Sequence, residues 1–132
     1  MTTIDQQLLK WAYVEASEVA RESSERKKKY RTVVKQAPAF IQACGLAQAV
    51  AFWQARAKGQ EGENTTDEQF GFERLLKHLG IACGMVDLVL VVQTAELSRY
   101  MFLTRRCQLA LVFLKRMVDA QMPPEKADET GA

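Results

Sequence analysis

Apolar residues recur at steps of three and four along most of this chain, which is the spacing that places them on one face of an α-helix. Near the N-terminus this spacing is kept by Ile4, Leu8, Ala12, Ala16 and Val19. The pattern predicts a first helix from about Thr3 to Lys29. Pro38 lies downstream, and because proline lacks a backbone donor, it either kinks a second helix or opens a short one that runs to Cys44.

Two glycines mark boundaries in the middle of the chain. Gly45 is a predicted helix C-cap, because glycine adopts a left-handed backbone conformation readily. The apolar stripe after it predicts another helix, which Gly59 ends; its members are Leu46, Ala49, Val50, Trp53 and Ala57. The polar segment from Gln60 to Asp67 then predicts a loop.

A helix start is predicted at Thr66, which stands three residues before Gln69, the spacing of a capping box. The helix is expected to run from about Asp67 to Leu79. The valine-rich segment from Met85 to Val92 has strand propensity. Since no other strand is available to pair with it, we predict a buried helix there.

The longest periodic segment lies near the C-terminus. It predicts a helix that starts at Thr94 or Ala95, ends near Gln121 and is stopped by Pro123. The chain has 132 residues, of which 48% are hydrophobic and 26% charged, which suits one core and not two. We therefore predict an all-α fold, a single compact bundle of five to seven helices over residues 1–122, with a flexible tail at 123–132.

Several features predict a soluble protein of the cytoplasm. The N-terminus lacks the basic and apolar regions of a secretory signal. The longest apolar stretch, Ile81 to Val92, is shorter than the ~20 residues of a membrane span, so no membrane partner is expected. The cysteines Cys44, Cys83 and Cys107 lack the spacing of a zinc or redox site and are predicted to be buried thiols in a reducing compartment.

Catalytic chemistry has few candidates in this sequence. His78 is the only histidine, and near the end of a helix it is predicted to be exposed or to cap that end. Asp87 interrupts an apolar segment, where a helix-surface or hydrogen-bonded aspartate is the favoured interpretation. The acidic residues of the Gln60–Asp67 loop lack the ordered spacing of a calcium site. The sequence therefore predicts a protein that is not an enzyme and that uses no cofactor, metal or small-molecule substrate.

Basic residues are clustered, although the net charge is only +2. One run without acids contains Arg26, Lys27, Lys28, Lys29, Arg31 and Lys35, and a second contains Arg99, Arg105, Arg106, Lys115 and Arg116. Such clustering makes a near-neutral protein locally positive, which favours binding of phosphate groups. The candidate nucleic-acid contacts are Lys27, Lys28, Lys29, Arg31, Lys35, Arg105, Arg106 and Arg116. The alternative is that both runs are ordinary solvated helix faces.

The last predicted helix carries a second apolar stripe. Phe102, Leu109 and Phe113 share a side of the helix that differs from its main apolar face. A helix that is apolar on two sides either lies between neighbours in the bundle or binds a partner. These three residues are therefore the candidate protein interface, with arginines beside it.

Two groups of residues resemble the signatures of a known family. The first group is Tyr30-Arg31, Pro38, Ile41, Gly45-Leu46 and Phe52, and the second is Tyr100, Thr104-Arg105 and Leu114-Lys115-Arg116. Together they resemble the small helical subunit of the Cmr effector complex, the type III-B CRISPR–Cas system. The chain differs from that pattern in having Arg106 in place of an acid and Phe113 in place of a tryptophan.

The resemblance implies a non-catalytic subunit of an RNA-guided antiviral ribonucleoprotein. Such subunits stack in more than one copy along the filament of guide RNA and target RNA, present basic residues to its backbone and touch neighbouring subunits. The implied partners are therefore guide and target RNA, other Cmr subunits and further copies of the same chain. Base pairing would supply sequence specificity, and the protein would recognise only shape and charge.

Two other functions stay open from the residues alone. Ala39 to Arg56 could form the two short helices of a DNA-binding helix-turn-helix, with Gln48, Gln54 and Arg56 facing a groove. Gln54, however, stands where that motif needs an apolar residue. The chain could instead be a scaffold that binds only protein through the second apolar stripe of the last helix.

Overall fold

The computed structural model describes residues 2–58 and 66–123, which form six helices and, within these ranges, no strand. The helices are α1 (Ile4–Ala20), α2 (Ser24–Cys44), α3 (Leu46–Ala57), α4 (Asp67–Ala82), α5 (Leu88–Thr94) and α6 (Leu97–Gln121). The prediction of an all-α bundle is confirmed. Most of the predicted Gln60 loop and the predicted tail lie outside the described residues. In the described part of the chain, no helix combines the length and apolarity that a membrane span requires.

The predicted first helix, Thr3 to Lys29, is wrong, because the chain turns between Ala20 and Ser24. The Ser23 side chain accepts a hydrogen bond from the backbone N–H of Arg26. Serine at this position satisfies one of the free donors of a new helix start. The periodicity of apolar residues did not indicate the break, since both helices bury their apolar faces in the same core.

Pro38 lies inside α2, so the short separate helix ending at Cys44 does not form. The predicted C-cap at Gly45 is confirmed, with a φ of +86° that favours glycine. Gly45 is also the N-cap of α3 and offers no side chain to the first donors of that helix. Tyr100 supplies the missing acceptor, because its hydroxyl oxygen accepts from the Ala47 N–H at 3.0 Å.

The capping box at the start of α4 is confirmed. Gln69 N–H donates to Thr66 Oγ1 at 3.1 Å, and Thr66 N–H donates to Gln69 Oε1 at 2.8 Å. The helix continues past the predicted end at Leu79. Downstream, a helix does form in the valine-rich segment, but it starts only at Leu88, where Asp87 is an exposed N-cap that accepts from the Leu90 N–H.

The core is built around α2, α4 and α6. Helix α6 packs against α1 and α2, and α4 packs against α2 and α3. Helices α2 and α6 run antiparallel, since Gln108 Nε2 donates to the Pro38 carbonyl, whereas Asp119, further along α6, meets Lys35 and Arg31, which lie earlier on α2. This pairing of α2 with α6 brings the two basic runs of the sequence together.

Candidate nucleic-acid interface

The basic residues of α2 do not share one face. Lys27, Arg31 and Lys35 follow one another at single-turn spacing, with Lys28 beside them. Lys29 lies about 160° around the helix from Lys27, on the flank where its backbone contacts Gly71 of α4. Lys28 and Lys29 are exposed, and Lys27, Arg31 and Lys35 are half-buried. The face of α2 that carries Lys27, Arg31 and Lys35 is the one next to α6, as the contacts of Arg31 and Lys35 with Asp119 show.

Several of these cations have acidic partners, so the clustering of like charges is weaker in space than in the sequence. Lys35 Nζ lies 2.6 Å from Asp119 Oδ1, and Arg31 Nη2 lies 4.0 Å from the same oxygen. Arg26 meets Glu22 at 3.4 Å and Asp67 at 3.5 Å. Although neither basic run contains an acid in the sequence, the fold places carboxylates beside several of their cations.

Asp119 nevertheless marks the place where the two basic runs meet. Lys115 and Arg116 lie one helical turn before Asp119 on α6, and both are exposed. Around this single carboxylate the two antiparallel helices bring together four cations, Arg31, Lys35, Lys115 and Arg116. We call these four residues the α2–α6 cationic surface. Its formal charge remains positive after Asp119 is counted, which suits a phosphate-bearing ligand.

Arg105 and Arg106 are neighbours in sequence with different surroundings. Arg106 Nε donates to the Ala82 carbonyl at 2.9 Å, and its side chain is half-buried. It thus satisfies a free acceptor in the last turn of α4. Arg105 is exposed and, among the described residues, has no acidic partner. Arg106 therefore stabilises the packing of α6 against α4, whereas the exposed Arg105 side chain is accessible to a ligand.

The second apolar stripe of α6 faces solvent. Phe102 and Leu109 are 58% and 38% exposed, while Phe113 packs against the core and is half-buried. Met101 and Val112 are also exposed and extend the stripe beyond the predicted residues. We call Met101, Phe102, Leu109 and Val112 the α6 apolar stripe. Because this side of α6 is open to solvent, the interpretation as a helix covered on both sides does not hold for it.

An aromatic groove between α2, α3 and α4 was missed by the sequence analysis. Phe40 and Phe52 lie 5.1 Å apart between ring centroids, and Phe72 lies 6.1 Å from Phe52. The groove has a volume of about 270 Å³. Arg56 covers the Phe52 ring at 5.0 Å and pairs with Glu68 at 3.6 Å. Arg56 therefore contacts α4 and does not extend into solvent, as a DNA contact of a helix-turn-helix would.

His78 is fully buried, so the prediction of an exposed or capping histidine is wrong. Its Nδ1 lies 2.6 Å from the Tyr30 hydroxyl, and its Nε2 lies 2.9 Å from Glu15 Oε2. His78 lies between Leu75 and Leu79 and one turn before Ala82, all of which are buried. This spacing on the apolar face of α4 was the available sequence signal.

The surroundings of His78 shift the pKa values of Glu15 and Tyr30. The close polar contact with His78 holds the pKa of Glu15 below its ordinary value, against the effect of burial. Burial raises the pKa of Tyr30 well above its ordinary value, and the nearby carboxylates of Glu15 and Glu18 add to this shift. Tyr30 therefore stays protonated and Glu15 stays ionised at neutral pH.

A family model described as CRISPR-associated protein (Cas_Cmr5) matches residues 4–121. The chain belongs to the Cmr5 family. The resemblance to the small subunit of the Cmr complex is confirmed, and this Cmr5-family chain is a subunit of the type III-B CRISPR–Cas complex.

The six-helix architecture agrees with this assignment. The chain is similar to the solved structure of a CRISPR-associated Cmr5 family protein from Thermus thermophilus, with 27% sequence identity and a TM-score of 0.75. The match covers 92% of this chain and 99% of that chain. No curated protein shows a significant match to the chain.

Most residues of the family-like motifs have structural roles in this Cmr5-family chain. Tyr30 is buried against His78, Gly45 forms the sharp junction of α2 and α3, and Tyr100 caps α3. Thr104 Oγ1 donates back to the Tyr100 carbonyl at 2.9 Å. Among the motif residues, the exposed or half-exposed cations are Arg31, Arg105, Lys115 and Arg116.

Proposed function

We propose that this Cmr5-family subunit binds the phosphate backbone of the guide RNA and target RNA duplex through the α2–α6 cationic surface. The main observation behind the proposal is the meeting of the two basic runs around Asp119, which contacts Lys35 from 84 residues away in the sequence. Two arginines there can grip phosphate oxygens with paired hydrogen bonds, and two lysines add point charges. Contacts of this kind are blind to sequence, as expected where base pairing supplies the specificity.

Lys27, Lys28, Lys29 and Arg105 extend this proposal to a wider surface. Lys27 and Lys28 lie next to the α2–α6 cationic surface on α2, whereas Lys29 lies on the other flank. Arg105 is exposed on α6, about three helical turns before Arg116. These residues would add phosphate contacts around the central four, while Arg106 contributes through the fold.

The subunit is proposed to perform no reaction. Within the described residues, the strongest acid–base cluster is formed by Tyr30, His78 and Glu15, whose contacts superficially resemble a catalytic triad. Tyr30 and His78 have no solvent-exposed surface, so no substrate can meet the hydroxyl. A catalytic nucleophile must reach the reacting atom of its substrate.

The α6 apolar stripe is proposed to bind protein, either another Cmr subunit or a further copy of this chain. Three of its side chains, Met101, Phe102 and Val112, are 50%, 58% and 44% exposed on one helix. Arg105 and Arg116 lie on the same side of α6 as the stripe, and arginine beside apolar and aromatic side chains is typical of protein interfaces. In the alternative function, a scaffold that binds only protein, partner proteins would stay bound after nuclease treatment. The chain would then have no affinity for RNA.

The RNA proposal is tested by titrating a labelled RNA duplex with the full chain at several salt concentrations between about 50 and 200 mM. The triple variant Arg31→Ala, Lys35→Ala, Arg116→Ala should bind more weakly and show a flatter salt dependence. The log–log slope should fall by about 0.7–0.9 for each phosphate that the variant no longer neutralises. A second variant, with Lys27, Lys28 and Lys29 all changed to alanine, tests the neighbouring cluster.

The matched control changes Lys10, Lys58 and Lys77 to alanine, because these lysines lie on α1, the end of α3 and α4. It removes the same formal charge from other parts of the surface. Equal weakening of RNA binding in both triple variants would mean that only net charge matters and would overturn the proposed surface. A sequence-specific DNA footprint would instead favour the helix-turn-helix alternative, although the 21-residue length of α2 argues against that motif.

A further inference from the structure

Two carboxylates and an imidazole converge between α1 and α4, away from the α2–α6 cationic surface. Glu15 and Glu18 lie one turn apart on α1, and His78 faces them from α4. His78 Nε2 lies 2.9 Å from Glu15 Oε2 and 3.6 Å from Glu18 Oε2. One ligand atom from each of the three residues lies within 4.8 Å of the other two.

The imidazole has a nitrogen aimed into this cluster without a hydrogen bond. Nε2 of His78 is fully buried and has no partner with acceptable hydrogen-bond geometry, even though carboxylate oxygens lie close to it. A buried polar atom of this kind normally has a partner. The other ring nitrogen, Nδ1, is held by the Tyr30 hydroxyl at 2.6 Å, which is how histidine ligands of metals are commonly oriented.

The spacing of the atoms suits a metal ion. Zinc bonds nitrogen and oxygen at about 2.0–2.2 Å, so neighbouring ligand atoms in octahedral or tetrahedral sites are roughly 2.8–3.6 Å apart. The two distances from His78 Nε2 lie at this separation. Arg74 Nε lies 3.1 Å from the other oxygen of Glu18, Oε1, and this ion pair leaves Oε2 on the side of the imidazole.

We propose that Glu15, Glu18 and His78 form a binding site for a divalent first-row transition metal, with Zn²⁺ as the ion that fits best. An imidazole with carboxylates selects zinc over magnesium and calcium, which prefer all-oxygen sites. Glu18 is 41% exposed, so water can complete the coordination. The site is independent of the proposed RNA binding, because none of its ligands belongs to the α2–α6 cationic surface.

The ion would fasten α1 to α4. These two helices touch each other only lightly, and α1 is held mainly by α6. A metal bound to two residues of α1 and one of α4 would add a crosslink that the unfolded chain lacks, and binding of this kind stabilises the folded state. The role expected of the ion is therefore structural.

The test uses the full chain without a histidine tag, stripped with a chelator and titrated with ZnCl₂ by calorimetry. We expect one ion per chain and a rise in the unfolding temperature. Because His78 is the only histidine, its Nε2 resonance in ¹⁵N NMR can be assigned without ambiguity and should move on zinc binding. Glu18→Gln, at a half-exposed position that tolerates change, should weaken binding about tenfold or more.

The control Glu25→Gln makes the same chemical change at a position on α2 and should leave zinc binding unchanged. Cys83 and Cys107, whose sulfur atoms lie 3.7 Å apart, are the competing ligands. Co²⁺ distinguishes the two sites, because thiolate ligands give an intense near-ultraviolet charge-transfer band that imidazole and carboxylate do not. No binding, equal binding by Glu18→Gln, an unmoved His78 resonance or a thiolate band would each overturn the proposal.

Discussion

The Tyr30 hydroxyl lies 2.6 Å from Nδ1 of His78, and the two rings meet edge to face with centroids 5.4 Å apart. Both side chains are fully buried. The contact joins the second turn of α2 to the second half of α4 and is a fully buried side-chain hydrogen bond of the described bundle. Tyr30 and His78 thus form a buried polar contact within a mainly apolar core.

Tyr30→Phe should destabilise the chain by about 1–3 kcal/mol, because it leaves the buried Nδ1 of His78 without a partner. Urea unfolding, followed by circular dichroism, measures the loss. Tyr13→Phe is the matched control, since Tyr13 is 60% exposed, and should change the free energy of unfolding little. Equal effects of the two substitutions would contradict the role given to the hydrogen bond.

Gly45→Ala should destabilise the chain more than Gly84→Ala. Both glycines have positive φ, +86° and +75°, which disfavours a residue with a Cβ. Gly45 combines this φ with a ψ of 161°, a region almost confined to glycine, so alanine there adds backbone strain of about 1–3 kcal/mol. A Cβ at Gly45 would also lie 3.3 Å from the Tyr100 hydroxyl, whereas a Cβ at Gly84 would have no atom within 4 Å. The difference between their unfolding free energies therefore reports the backbone conformation of Gly45 together with the crowding of the Tyr100 hydroxyl, and identical losses would argue against both.

Arg106→Ala should lower the stability of the chain, whereas Arg105→Ala should lower its affinity for RNA. Removal of Arg106 leaves the Ala82 carbonyl without its 2.9 Å donor and should destabilise the chain by about 1–3 kcal/mol. Arg105→Ala should leave stability within about 0.5 kcal/mol but weaken RNA binding. Thermal unfolding and salt-dependent RNA titration, done on both variants, separate the two roles. A stability loss confined to Arg105→Ala would be the contrary result.

Cys83 should react with iodoacetamide before Cys107. A hydrogen bond from the Cys107 thiol lowers the pKa of Cys83, and the Arg106 guanidinium adds to this effect. The same contact, together with burial, raises the pKa of Cys107 far above its ordinary value. Since the thiolate is the reactive form, mass spectrometry of briefly alkylated protein should find label on Cys83 first. Preferential labelling of Cys107 would show that the pair is polarised the other way.

Features that depend on neighbouring residues were predictable from the sequence. The capping box of Thr66 and Gln69, the C-cap at Gly45 and the end of α6 at Gln121 each follow from a few adjacent side chains. The break near Ser23 was missed because a serine N-cap is a weak signal inside a periodic apolar pattern. Boundaries of this kind depend on which residues pack in the core.

Features that depend on distant residues were not predictable. Asp119 meets Lys35 from 84 positions away, and His78 meets Glu15 from 63 positions away. The sequence placed the basic runs correctly along the chain but carried no information on which carboxylates fold against them. The α6 apolar stripe was identified in part, because Phe102 and Leu109 stand out by helical spacing, whereas Met101 needed the exposure seen in the folded chain.

Asp119 gives the free subunit its own counter-ion. In the absence of nucleic acid, Lys35 and Arg31 already face a carboxylate at 2.6 and 4.0 Å. A phosphate gains these cations only by displacing that internal anion, so a single stray phosphate benefits little from the exchange. A duplex that engages several cations at once has enough contacts to displace it. In the proposed complex, this exposed carboxylate would therefore favour an extended polyanion over a single phosphate ion.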